Sequence, residues 1–112
     1  MKVAIPVHNG LLAMHFGHCA EFAVMEVVPA TGEISRKEMI AAPPHEPGLL
    51  PRWLAEKDVK LIIAGGMGGR ARDLFTEQQI TVITGAPAAT PEILVRDYFA
   101  GNLQTGENAC DH

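Results

Sequence analysis

The spacing of apolar residues first changes its period close to Pro51, and that change constrains the fold more than any other feature. Before it the apolar residues come in short runs of strand length. Lys2 to Val7 is nearly continuous and suits a buried strand. Phe22 to Val28 carries apolar residues on both alternating faces, so both sides of it are expected to be covered. Pro29-Ala30-Thr31-Gly32 reads as a tight turn, and Glu33 to Ile40 as a more polar strand at a sheet edge. After Pro51 the pattern alternates between helix and strand. Leu50, Trp53 and Leu54 share one helical face, with Pro51 in the first turn. Leu61-Ile62-Ile63-Ala64 is a short buried strand, followed by the loop Gly65-Gly66-Met67-Gly68-Gly69. Arg70 to Gln78 is a helix burying Leu74 and Phe75, and Ile80 to Ile83 a further strand. Thr90 caps a last helix with Pro91 in its first turn and Gly101 just past its end.

The expected order is β-β-β-α-β-α-β-α, an α/β fold with a five-stranded mixed sheet flanked by helices. Parallel strands in the second half need right-handed crossovers. With 112 residues, residues 1–103 form one domain, and 104–112 a flexible C-terminal tail. The connection after the first strand, the loop after the third and the glycine loop should meet beyond the carboxyl ends of the strands, where such sheets bind ligands.

A net charge of −4, with lysines and arginines scattered, argues against a nucleic-acid partner. The N-terminus is too short an apolar run for a signal peptide, and no stretch approaches a membrane span. A cytoplasmic protein is therefore expected, and a monomer. Cys19 and Cys110 lie at opposite ends of the chain and are read as free thiols rather than a disulfide.

Four segments carry residues with useful chemistry. His15-Phe16-Gly17-His18-Cys19 combines imidazole and thiol, the donors for soft and borderline metals. Singly, His15 reads as a turn residue, His18 as solvated and Cys19 as a small hydrophobe; together they read as a metal cluster. The tail Asn108-Ala109-Cys110-Asp111-His112 adds Cys110 and His112, as a metal clip or as a plain terminus. The two ends offer enough donors for one zinc ion, but too few cysteines for a four-cysteine iron–sulfur cluster. The loop Gly65, Gly66, Met67, Gly68, Gly69 before a helix is a candidate anion nest, with the Met67 thioether at its tip. Its alternative is a plain tight turn, and its match to G-x-G-x-x-A is weak. His45, in Pro43-Pro44-His45-Glu46-Pro47-Gly48, either faces the same crevice or is solvated. Catalysis is not expected: Ser35 is the only serine and has no evident base, and no oriented third member joins Cys19.

These residues resemble the dinitrogenase iron–molybdenum cofactor biosynthesis family, the small cluster-binding proteins of the NifX, NafY and NifB C-terminal type. The resemblance spans nearly the whole chain. It rests on Met1 to Val7, His15-Phe16-Gly17, His45-Glu46-Pro47-Gly48, Ile62-Ile63-Ala64-Gly65-Gly66-Met67-Gly68 and the closing Asn108 to His112. It implies a ribonuclease-H-like fold without ribonuclease activity. It also implies binding of the iron–molybdenum cofactor or its precursors, as cargo passed between cluster-donating and cluster-accepting proteins. The orange protein of sulfate-reducing bacteria is similar in size and carries a molybdenum–copper–sulfide cluster non-covalently. The expected function is a non-catalytic carrier or store of a molybdenum-containing metal–sulfur cluster. The alternatives are a zinc- or copper-binding regulatory module and a small phosphate- or nucleotide-binding protein.

Overall fold

The structure, a computed structural model, describes residues 1–16, 19–43 and 48–106. Their elements run β1 (Lys2–His8), β2 (Leu11–Leu12), β3 (Glu21–Val28), β4 (Glu33–Ala41), α1 (Leu49–Glu56), β5 (Val59–Ile63), α2 (Gly69–Glu77), β6 (Thr81–Ile83) and α3 (Pro91–Ala100). The order along the sheet is β4-β3-β1-β5-β6, and β2 pairs with β1 alone. β1, β3 and β4 pair antiparallel, whereas β1 with β5 and β5 with β6 pair parallel.

The expected mixed sheet with three helices is therefore present, but it has six strands and not five. The additional strand, β2, is two residues long, too short for a periodic signal to reveal. It exists because the parallel pairing of β1 with β5 stops at Ala4. The later part of β1 is then free to pair back on its own chain, Val7 with Leu12 and His8 with Leu11.

Side-chain alternation assigns the two faces of the sheet. Val3, Ile5 and Val7 of β1 join Ala23, Met25, Val27, Leu61 and Ile63 in a core completed by Leu94 and Val95 of α3. Ala4 joins Phe22, Val24 and Ile62 in a second core, completed by Leu54 of α1 and Phe75 of α2. One helix thus covers one face and two cover the other. Strands buried on both faces read as unbroken apolar runs, which is why β1 from Val3 to Val7 and β5 from Leu61 to Ile63 show no alternation in sequence. β4 is an edge strand with mostly exposed residues, as its polar sequence implies.

Local signals were met in most places. Gly32 takes φ 75°, as the turn before β4 requires. Thr90 does occupy the N-cap position of α3, but its side chain makes no capping hydrogen bond. Leu74 is only half-buried, and Phe75 alone is fully buried in α2. Among the described residues no helix is long and apolar enough to cross a membrane.

Candidate functional site

The carboxyl ends of β1, β5 and β6 do not simply fray into loops. Backbone pairing continues past them. Ala64 donates to the Ile83 carbonyl at 2.8 Å, and Gly85 donates to that of Gly65 at 2.7 Å. On the other side of Gly65, Gly66 donates to the Met14 carbonyl at 2.7 Å, while Phe16 donates to that of Gly66 at 2.9 Å. His15 and Gly66 form the resulting parallel bridge. Beyond Gly85, Gly106 donates to the Gly85 carbonyl at 2.7 Å. Four loop segments, around residues 15, 65, 85 and 106, thus lie side by side.

Two glycines make that spacing possible. A Cβ on Gly65 would stand 3.0 Å from the Met14 carbonyl oxygen. Gly85 takes φ 81°, and a Cβ there would overlap the Gly106 backbone. Between these segments opens a cavity of about 430 Å³, lined by Met14, Gly65, Gly85, Ala86, Pro87, Gln104, Thr105 and Gly106. None of these lining residues is charged. Its wall is largely glycine backbone and small apolar groups, with the Met14 side chain 50% exposed. A bond from Leu12 N–H to the Ala89 carbonyl, 3.0 Å long, ties β2 to the segment that follows Pro87.

The expected meeting of the first connection with the glycine loop is observed, through the bridge of His15 to Gly66. Phe16 holds it there. Its ring packs edge-on against Phe75 with centroids 5.4 Å apart, and tilted on Phe22 at 5.7 Å. His15 itself is exposed. Cys19 is a free thiol, half-buried against the Phe22 and Phe75 core. Burial pushes its pKa up from 9.0 to about 11, a rise that a backbone hydrogen bond only partly opposes. Cys19 does not line the cavity.

The glycine loop differs from its sequence reading. Among the described glycines, positive φ occurs at Gly10, Gly32, Gly48, Gly85 and Gly101, not at Gly65, Gly66, Gly68 or Gly69. The loop is therefore a continuation of β5 and not a curled nest, and the N–H of Gly66 is already given to Met14. Met67 is corrected too. It is 1% exposed and packed in the α1/α2 core, so its thioether is not at a loop tip. An apolar side chain next to Phe75 gains more from burial than from solvent. Gly68 is the N-cap residue of α2, and Gly69 opens the helix.

His18, His45, Cys110 and His112 lie outside the described residues. Among the described residues no group of three or more His, Cys, Asp or Glu is placed to hold a metal ion. Of the expected tail, residues 104–106 line the cavity. The lining residues missed in sequence are Met14, Gly85, Ala86, Pro87, Gln104, Thr105 and Gly106. Gly85-Ala86-Pro87 directly after a strand was a usable turn signal. Nothing local marked Met14 or Gly106.

The family described as Dinitrogenase iron-molybdenum cofactor matches residues 1–101 of this sequence. The chain belongs to that family. The uncharacterized protein MJ0580 of Methanocaldococcus jannaschii is 30% identical over 112 residues, covering 96% of this chain and 92% of its own. The crystal structure of PH0822 superposes with a TM-score of 0.85 at 25% identity, covering 94% of each chain. The apo form of the orange protein from Desulfovibrio gigas gives a TM-score of 0.71 at 21% identity, covering 96% of this chain and 93% of that one. At that identity the likeness to the orange protein is one of fold. The matched span, 1–101, takes in both cores and stops just short of the segment that lines the cavity from the C-terminal side.

Proposed function

We propose that this protein binds, stores or carries an anionic metal–sulfur cluster containing molybdenum with iron or copper, and that it does so without catalysing a reaction. The observation that carries the reading is the cavity at the carboxyl ends of β5 and β6, whose lining among the described residues is glycine backbone, small apolar groups, the Met14 thioether and the neutral polar side chains of Gln104 and Thr105, with no charged side chain. A hard, compact anion such as phosphate is ordinarily gripped by Arg or Lys, and among the described residues neither lines this wall. A bulky sulfide-rich anion spreads its charge over polarizable sulfur. It fits a neutral wall that offers dispersion contacts and backbone dipoles. Membership of the dinitrogenase iron–molybdenum cofactor family supports the same cargo.

Among the described residues, the backbone ladder brings the imidazole of His15 to Gly66, beside Met14. His18, His45, Cys110 and His112 are further proposed donors to the cluster, and Cys19 a thiol that must lose its proton before it ligates. Three antiparallel strands followed by two parallel crossovers support assignment to the ribonuclease-H-like folds.

Anaerobic reconstitution of the apo-protein with tetrathiomolybdate, together with copper or iron salts, tests this directly. A protein-bound chromophore that survives gel filtration is expected, because metal–sulfide charge transfer absorbs in the visible. A protein that binds zinc tightly and stays colourless with tetrathiomolybdate would instead be the metal-binding regulatory module.

A further inference from the structure

Met14 is a large apolar side chain left 50% exposed, yet its backbone is held firmly. Gly66 donates to its carbonyl at 2.7 Å, and Gly65 passes close enough that a Cβ would stand 3.0 Å from the same oxygen. The chain has five methionines. Met25 and Met67 are sealed in the cores, and Met1 and Met39 are exposed at the N-terminus and on the edge strand β4. Among the described residues only Met14 lines the cavity. Among the described residues no thiol, imidazole or carboxylate stands beside it in that wall. A thioether is a soft donor, with affinity for cations such as copper(I) and little for hard oxygen-rich species. It carries no proton to lose, so it coordinates independently of pH, unlike the buried Cys19 thiol.

We infer that Met14 determines which cargo the cavity accepts: its thioether sulfur contacts the soft metal of a metal–sulfide anion, and copper(I) is the metal it fits. The molybdenum–sulfide body then rests against the glycine backbone of residues 65, 85 and 106. Coordination forms one sulfur–copper bond, oxidises nothing and releases no proton. This rests on the cavity being the cluster site proposed above.

The test uses the full chain, its Met14→Leu variant and its Gly85→Ala variant, titrated anaerobically with two probes. One probe is tetrathiomolybdate alone, and the other is tetrathiomolybdate with copper(I). Leucine keeps the apolar volume and removes the sulfur, so the fold is retained. Met14→Leu is expected to hold the copper-containing adduct about tenfold less tightly, a larger loss than it shows with tetrathiomolybdate alone. Copper K-edge absorption should show a thioether sulfur neighbour in the unsubstituted protein that is lost in the variant. Equal retention of the copper adduct by both, with Gly85→Ala weakened, overturns the role of Met14 and leaves the cavity as the site. Failure of the unsubstituted protein to take up either probe, or indifference of both probes to Gly85→Ala, removes the cavity reading and this inference with it.

Discussion

Gly106 donates its N–H to the Gly85 carbonyl at 2.7 Å, and a Cβ added at Gly85 would overlap the Gly106 backbone. The contact closes the C-terminal side of the cavity with main chain alone. Gly85→Ala is therefore expected to push residues 104–106 off the wall. It also forces a side chain onto φ 81°, and such strain costs on the order of 1–3 kcal/mol. Amide hydrogen exchange at Gly106 should accelerate in the variant more than exchange in β1. Unchanged protection of the Gly106 amide would mean that the contact does not secure the segment.

Phe16 anchors the connection that brings His15 to Gly66. It is 6% exposed and packs on Phe75, which is fully buried. Phe16→Ala should cost about 3–5 kcal/mol, the usual penalty for emptying a buried aromatic site. Denaturant titration measures that loss. Hydrogen exchange at Gly66, whose N–H is bonded to Met14, should reveal whether the bridge goes with it. A stable variant with a protected Gly66 amide would show that the ladder stands without the aromatic anchor.

Cys19 sets a pH dependence. Its thiol is held near pKa 11 in the folded protein, against 9.0 for the exposed group. Folding therefore favours the protonated form. The associated stability is fully present below about 9 and is lost as pH rises through about 11. Thermal melts between those limits should fall more steeply for the unsubstituted protein than for Cys19→Ala. Alkylation of the thiol should be slow at neutral pH. If a cluster takes Cys19 as a ligand, its uptake must release a proton and strengthen with pH; flat uptake would exclude the thiol from the coordination sphere.

Lys37 of the edge strand β4 donates to Glu92 in the first turn of α3, at 3.0 Å. That hydrogen bond is the main reason the Glu92 pKa lies below its ordinary value. Removing it in Lys37→Met should raise the Glu92 pKa, as seen by NMR titration. Both groups are over a third exposed, so the stability change should stay within about 1 kcal/mol. The stability from a lowered carboxylate pKa is fully present above its unfolded value and fades as pH falls through the folded one. The two proteins should thus converge in stability at acid pH. A difference persisting there would point to packing by the lysine stem.

The elements of this chain were legible in its sequence because each rests on local periodicity. The apolar runs of β1 and β5, the turn at Gly32, the polar edge β4 and the proline-led α3 state their structure within a few residues. The family was legible for a similar reason, since its motifs are contiguous. What the sequence did not disclose is set by close approaches between distant segments. β2 forms only because β5 releases the end of β1 after Ala4. The glycine loop looked like an anion nest, but tertiary pairing draws Gly65 and Gly66 into the sheet and Met67 into the core. The cavity wall joins residues 14, 65, 85 and 106, four positions that share no local pattern. Periodicity and turn chemistry, both local, determined the elements. The site was decided by backbone contacts across as much as most of the chain, which no run of neighbouring residues encodes.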